Sequence, residues 1–410
     1  MRVLLIHQNF PAQFRHLCPA LLAAGHEVAA IGNRSAIPAW PGLEYLQAAG
    51  PAAEALKESS LEQRYLRQIA QGRQVARQLQ VLACGSWHPD VVVGHPFWGD
   101  LLFLDDVFPD VPLVALMELD LQGVQSFDGS PRTAAPGLLQ WTTFQAARRM
   151  AVGLTATRFQ LSTFPSWLQP RIAVIHEGID LQRCCPAPVS RLQLPDGTVL
   201  HGGEPTVTFC CRCLEPLRGF HTLMRALPEL LERHPGVRIV ICGEERGGYG
   251  AGPGHGSSWK ERLLAEIGQR IDCRRVLFPG LLPHASLLEL FRLSWAHVYL
   301  SAPFVLGWSL LEAMACGALV VGSSTDPVLE VIEPHREGLL VPFDDPLALT
   351  TTLLAVLEEP TRFAHLRLGA RRRIARDFAH HSCLARQLEL IGAVARGEDS
   401  PFPRARLADG

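Results

Sequence analysis

YLSAPFVLGWSLLEAMACGALVVGSSTDPVLEVI, residues Tyr299–Ile332, is nearly all apolar or small, and Glu312 is the only charge between His297 and Asp326. An apolar run of this length suggests a bilayer span, but Pro303, Gly307, Glu312 and Gly317 interrupt it. The stretch parses as a strand (Ala296–Ser301), a loop (Ala302–Trp308), a helix (Ser309–Cys316), a glycine stop and a second strand (Ala318–Ser323). Ser309 is the expected N-cap and Gly317 the expected left-handed residue after the helix. Two apolar strands around a short helix make a right-handed crossover in a parallel sheet covered on both faces. A carboxylate inside such a unit needs a partner or a ligand, because burying it alone is too costly. Ligands of these sheets bind beyond the carboxyl ends of the strands, which places the loop Ala302–Trp308 at a binding edge.

Working outward, the same alternation recurs along the whole chain. Arg2–His7 and Glu27–Ile31 read as strands around a helix Pro11–Ala24, and Leu56–Cys84 as one long surface helix weakened at Gly72. Asp90–Gly94 and Val111–Met117 are strands separated by a helix near Asp100–Phe108. Thr143–Met150, Val152–Ala156 and Ile172–Ile175 complete the first half. The second half runs from the strand Thr206–Cys211 through Gly219–Arg233, Val237–Cys242, Ser257–Arg270, Val276–Phe278 and Ser286–Leu293 to the stretch quoted above. The helices Pro346–Glu358, Thr361–Phe378 and His381–Val394 follow. The expected fold class is α/β, with two Rossmann-like domains facing a central cleft. The boundaries are an N-terminal domain at 1–183, a strand-poor linker at 184–205, a C-terminal domain at 206–378, a closing helix at 379–396 and a disordered tail at 397–410.

At 410 residues both domains have room for a core of their own. A net charge of −2 gives no sign of a nucleic-acid partner. The basic residues are nearly all Arg, with Lys only at Lys57 and Lys260, a bias that a GC-rich genome explains as well as phosphate binding does. Met1–Ile6 is too short for a signal peptide, so a cytoplasmic location is expected, with membrane contact at most peripheral through Arg371–Arg373. The 11 cysteines fit a reducing compartment. Cys210 and Cys213 form a CxxC, but the adjacent Cys184 and Cys185 are a poor second pair, so no metal is expected. The glycine-rich GGYGAGPGHGSS (Gly247–Ser258) lacks a dinucleotide fingerprint and reads as a mobile loop over the cleft.

Arg212 follows a strand, and Arg218 stands six residues on, just before the next helix. Two guanidinium groups and a helix N-terminus at a sheet's carboxyl edge form an anion site that suits a diphosphate. Around them the segments RCLEPLRGFHTLMRALPELL, RIVICGE, VLFPGLLP, PFVLGWSLLEAMACGALVVGSSTDPVLEVI and EGLLVPFDD follow in order, after VIHEGID at Val174–Asp180. This series resembles the family 4 retaining glycosyltransferases, which have the GT-B architecture, and in particular a bacterial branch carrying a similar PFVLxWS sequence. The resemblance covers most of Val174–Asp345 and is looser in the first half.

The resemblance implies roles at named positions. Arg212 and Arg218 would hold the donor diphosphate, Arg218 standing for the family's Lys, with Gly307, Trp308 and Ser309 at the helix start. Glu312 matches the second carboxylate of the family's Glu-x(7)-Glu pair, which binds the ribose diol. The first, which meets the donor sugar, falls on Phe304, a departure that leaves the sugar's identity open. Phe278–Gly280 resembles the turn that receives the nucleobase, and Glu330 the carboxylate at the donor edge. In the first half, His95 and Glu118 end strands, and Glu118 is a candidate to orient or deprotonate an acceptor hydroxyl. Asn9 and Gln13 occupy the loop where the family commonly has Gly-Gly. Glu118-Leu119-Asp120 imitates an Asp-x-Asp metal motif without its surroundings.

The implied function is metal-independent hexosyl transfer from a nucleoside diphosphate sugar, bound as substrate with no further cofactor, to the hydroxyl of an unidentified glycan or lipid-linked acceptor. Two alternatives stand beside it, a non-catalytic sugar-nucleotide binding protein and a nucleotide-sugar epimerase of the same architecture.

Overall fold

Arg2–Ile6 forms β1, whose residues Val3–Ile6 are fully buried, as a strand inside a parallel sheet must be. The computed structural model describes residues 1–48, 61–121, 140–249, 252–253 and 256–402. Around β1 the first sheet adds β2 (Glu27–Gly32), β3 (Leu43–Gln47), β4 (Val91–Gly94), β5 (Leu113–Leu116), β6 (Val152–Thr155) and β7 (Ile172–Val174). The order is β3-β2-β1-β4-β5-β6-β7, and every pairing is parallel. Alternation along β1 feeds two layers. Leu4 and Ile6 pack with Val75, Leu79 and Leu82 of the helix Leu61–Cys84, while Val3 and Leu5 pack with Leu17 and Leu21 of the helix Leu17–Ala23 and with Leu390 and Ile391.

The second sheet is built from β10 (Thr206–Cys213), β11 (Arg238–Glu244), β12 (Val276–Gly280), β13 (Ala296–Tyr299), β14 (Val320–Ser323) and β15 (Leu339–Val341). It too is wholly parallel, in the order β12-β11-β10-β13-β14-β15. The quoted stretch folds as β13, a loop, the helix Trp308–Ala315 and β14, with Gly317 left-handed at φ +80°. The cap differs from expectation: Gly307 is the N-cap and Ser309 sits inside the first turn.

Both halves are Rossmann-like, but the division differs from the expected one. One unit comprises Met1–Gly178 and His380–Gly410, the other Ile179–Ala379. The supposed closing helix, observed as His380–Ala395, therefore completes the first unit. The supposed linker belongs to the second and carries an antiparallel pair, β8 (Arg191–Gln193) with β9 (Val199–His201). Of the supposed disordered tail, 397–402 is placed: Phe402 packs beside the first unit's core, its ring 4.9 Å from the Arg386 guanidinium. The remainder of that tail, the start of the expected helix at Leu56 and residues 250–251 and 254–255 within Gly247–Ser258 lie outside the described residues.

Other departures have local causes. The edge strand β3 was not foreseen, since LEYLQ is half-exposed and has no apolar run. Pro11–Ala24 breaks into a 3-10 turn, Ala12–Arg15, and the helix Leu17–Ala23. Asp100–Phe108 is a series of turns rather than a helix. Gly72 is no weak point: a Cβ there would lie 2.7 Å from the Gly99 carbonyl, so glycine permits the approach of that segment. Arg371 and Arg373 do not form a solvated or membrane-facing surface. Arg371 donates to the Ala315 and Cys184 carbonyls, and Arg373 to that of Glu330. Among the described residues no helix is long and apolar enough to cross a membrane.

Asp100 organises the loop after β1. It is 1% exposed, and its carboxyl accepts from the Gln8 amide at 2.9 Å and from Gln71 Nε2 at 2.8 Å. Burial outweighs those donors and raises its pKa from 3.8 to about 6. An unfolded Asp releases its proton near 3.8, so between these values the folded chain binds more protons and stability falls as pH rises. Asp100→Asn removes that dependence. Its unfolding free energy relative to the parent should gain about 2 kcal/mol between about pH 4 and pH 7, and a difference that stays flat in urea titrations would contradict the buried carboxyl. A second prediction concerns the chain's return to the first unit. Gly178 has φ +86°, and a Cβ there would lie 2.3 Å from His380 Cα. Gly178→Ala should destabilise the first unit by about 1–3 kcal/mol; unchanged denaturation would show that the two backbones are free to separate.

Candidate functional site

In the second unit the carboxyl edge of β10 carries Arg212, exposed and without a hydrogen bond or ion pair among the described residues. The chain then makes a 3-10 turn, Pro216–Arg218, and enters the helix Phe220–Arg233 through Gly219 at φ +70°. A Cβ on Gly219 would meet Leu300 Cβ at 2.2 Å, so glycine lets this turn sit against the residue that follows β13. That approach puts Arg218 within reach of the loop before the helix Trp308–Ala315. Its Nη1 donates to the Val305 carbonyl at 2.8 Å and to Ser301 Oγ at 3.2 Å. Both bonds use Nη1, which leaves the N–H groups of Nε and Nη2 for an anion.

Phe304, expected to meet a donor sugar, is 8% exposed. It lies between the Arg218 guanidinium, 5.2 Å from its ring centre, and the exposed Tyr249, 5.3 Å ring to ring. The backbone N–H of Tyr249 is in turn held by the buried Glu215 at 3.0 Å. An apolar residue at this place therefore braces the cation rather than presenting a polar contact. At the helix start the Gly307 amide donates to Tyr299 Oη at 2.7 Å. Trp308 and Ser309 form the first turn.

Glu312 faces inward, as the apolar pattern required, and the structure supplies its partner. His284, the first residue of the helix His284–Leu293, places Nε2 2.9 Å from Glu312 Oε1. Cys184 joins them, and the three donor atoms lie within 4.8 Å of one another. The neighbouring Cys316 thiol, burial and the charge of Glu312 raise the pKa of Cys184, while the Cys184 thiol lowers that of Cys316. Spacing arguments missed this group because its members come from three separate segments. Cys210 and Cys213, which caught attention as a CxxC, are buried thiols on β10.

The remaining sequence candidates are dispersed around this edge. Phe278 lies on β12 under Lys260, whose Nζ is 4.6 Å from the ring centre and pairs with Glu245. Gly280 ends β12 with φ +73° and open space where a Cβ would be. Glu330 terminates the short helix Asp326–Leu329, and its carbonyl anchors Arg373.

The first unit assembles a second polar group at the carboxyl ends of β1, β4 and β5. The Asn9 amide donates to His7 Nδ1, so Nε2 carries the proton and donates to Gln13 Oε1 at 2.7 Å. Gln13 Nε2 passes the polarity on to Glu118 Oε1 at 3.2 Å. The Phe97 amide likewise fixes His95 Nδ1 as an acceptor, leaving Nε2–H to donate to Glu118 Oε2 at 3.3 Å. Trp98 stacks on His95 at 4.5 Å. Burial, reinforced by His95, holds the pKa of His7 well below the ordinary histidine range, which keeps it neutral. The outcome is a carboxylate about a third exposed with a donor on each oxygen. His95 is 1% exposed, so it positions Glu118 and does not offer a contact of its own. His7 was not among the candidates and Gln13 was a minor one; both come from the glycine-free loop HQNFPAQ. Asp120 is buried and its amide donates to Thr163, so the Glu-Leu-Asp triplet does not present two exposed carboxylates.

Matches to known proteins extend over both halves of the chain. The Glycosyl transferase family 4 group profile matches residues 24–184, and the Glycosyl transferases group 1 profile matches 198–373. Glycogen synthase of Mycobacterium tuberculosis is 25% identical over a 438-position alignment that covers 100% of this chain and 99% of that one. Phosphatidyl-myo-inositol mannosyltransferase of Mycolicibacterium smegmatis is 33% identical over 215 positions, 52% of this chain and 48% of its own length. Among solved structures, sucrose-phosphate synthase from Thermosynechococcus elongatus superposes with a TM-score of 0.76 at 17% identity, covering 97% of this chain and 100% of that one. The fold is GT-B, and the chain belongs to the family 4, group 1 glycosyltransferases.

Proposed function

We propose that the chain transfers a sugar, with retention of anomeric configuration, from a nucleoside diphosphate donor to a hydroxyl of a glycan or lipid-linked acceptor. The observation that carries this reading is the pinning of Arg218. Its Nη1 is fixed to the loop 301–305 while two other N–H-bearing nitrogens remain, beside the unpartnered Arg212 and the start of the helix Trp308–Ala315. One preorganised guanidinium, Arg218, and a second on the same sheet edge, Arg212, stabilise the diphosphate as it leaves, where negative charge grows most. That supplies what a divalent metal would otherwise give, so transfer requires no metal. Glu312 takes the ribose diol, exchanging part of its bond to His284 for two hydroxyl donors. The nucleobase lies against the Phe278–Gly280 turn, read by backbone groups, and Glu330 lies at the sugar's edge. Phe304 sets which sugar is accepted through shape, since it offers no hydrogen bond.

In the first unit Glu118 orients the acceptor hydroxyl and strengthens it as a nucleophile. Its two donors, Gln13 and His95, hold it aimed; the leaving phosphate takes the acceptor proton. The names of the two sequence relatives point to a glucan and to a phosphatidyl-inositol acceptor, which is why both acceptor classes belong in the reading.

Arg212→Ala and Arg218→Ala should each weaken nucleoside diphosphate binding by about 1.5–3 kcal/mol, the worth of a hydrogen bond to a charged group. Calorimetric titration with UDP, GDP and ADP measures this, and unaltered affinity in both variants would remove the diphosphate site from this edge. The reaction itself is tested by incubating the chain with nucleotide sugars and glycan or inositol-lipid acceptors in EDTA, and following the new glycosidic proton by NMR. The expected product keeps the donor's anomeric configuration, and Glu118→Gln forms it about 10²–10⁴-fold more slowly with diphosphate affinity intact. Interconversion of the donor without acceptor would reveal an epimerase instead. Binding without turnover would indicate a sugar-nucleotide binding protein.

A further inference from the structure

Cys184, His284 and Glu312 bring one sulfur, one imidazole nitrogen and one carboxylate oxygen within 4.8 Å of one another. Each is held by a different element, and the thiol's segment is braced on several sides. The Cys184 amide donates to Asp180, Arg371 donates to the Cys184 carbonyl, and Arg292 donates to the Cys185 and Arg183 carbonyls. Glu312 is fixed by its helix and His284 by the first turn of another. We infer that these three side chains form a binding site for a borderline-soft divalent cation of the zinc class, with a fourth position open to water.

The chemistry of the donor set supports that class. A thiolate and an imidazole favour zinc over magnesium or calcium, which take oxygen donors. One thiolate and one carboxylate balance the charge of the cation, so the occupied site is neutral where Cys184 is 2% exposed. In tetrahedral zinc sites neighbouring ligand atoms stand about 3.5 Å apart. His284 and Glu312 are at 2.9 Å and open slightly, while the thiol moves in by roughly an ångström. On binding, the Cys184 thiol proton leaves to solvent, and the imidazole binds through Nε2 with its proton on Nδ1. Cys316 keeps its contact with the sulfur as an outer partner.

The site has a consequence that rests on the ribose role given to Glu312 above. A cation held by this carboxylate denies it to the nucleotide, so zinc inhibits transfer by competing with the donor. A sugar-nucleotide enzyme with a zinc-sensitive ribose site responds to free cation without a separate regulatory domain.

Titration of the reduced chain with Co²⁺ should give one equivalent and a near-ultraviolet sulfur-to-cobalt charge-transfer band, displaced by Zn²⁺. Cys184→Ser should lose the band, and His284→Ala should weaken binding more than about 100-fold, beyond what loss of an outer partner costs. The exposed-side neighbour variant Cys185→Ser should bind as the parent does. Unchanged near-ultraviolet circular dichroism in each metal-free variant establishes that it is folded; with two ligands on separate elements, one folded variant suffices. Absence of the band in the parent, or its persistence in both ligand variants, overturns the site. In a competition arm, Zn²⁺ should raise the apparent Kd for the nucleoside diphosphate that binds, by at least tenfold in the parent and not in Cys184→Ser. A cobalt band with no such competition leaves the cation site standing and refutes the ribose role of Glu312.

Discussion

A single carboxylate in an otherwise uncharged helix constrains this carboxyl edge of the second sheet. Glu312 has its side chain 11% exposed, and a charge so placed persists only if something answers it. The answer is His284, delivered by the helix that follows β12, and the two must meet across the end of the sheet. That requirement ties the turn at Phe278–Gly280, the loop 301–307 and the helix Trp308–Ala315 to one another. It also explains why the helix is so apolar elsewhere: Leu310, Leu311, Ala313 and Met314 bury the rest of it and leave one polar point.

The arginines obey a different logic. Arg218 is committed to the protein by one nitrogen and free at the others, whereas Arg212 is uncommitted. One guanidinium is thus set in place and the other can adjust, a combination suited to anions of more than one geometry. Phe304 belongs to this part of the design: where a carboxylate would pair with Arg218 and neutralise it, a ring face attracts the cation and leaves its charge intact.

Much of this was legible in the chain. Fully buried strands read as continuous apolar runs, so β1, β4, β10, β11, β13 and β14 were placed to within a few residues, and glycines marked Gly317 and the turn before Phe220. The order of motifs carried the family, and Arg212, Arg218 and Glu312 fell on the expected edge. What was hidden depends on long-range meetings. LEYLQ in β3 is an edge strand whose pattern lacks a buried stripe, and Asp100–Phe108 forms turns, its first residue held by Gln8 and Gln71 from elsewhere in the chain. His284 has no local signal as the partner of a residue 28 positions away. Gln13, His7 and His95 converge on Glu118 only because three strands end together. Gly72 looked like a flaw and is a point of close approach.

The first unit is discontinuous, and this sets the order in which it is completed during synthesis. Its opening 178 residues leave the ribosome first, yet the layer formed by Leu390, Ile391 and Val394 belongs to a helix made only after the entire second unit. Until then Val3, Leu5, Leu17 and Leu21 lack part of their cover, and a nascent chain carries an apolar surface across some two hundred codons. The second unit, contiguous from Ile179 to Ala379, has no such wait. The helix His380–Ala395 thus completes the first unit from beyond the second: a product truncated before it leaves unburied core exposed to chaperones and proteases.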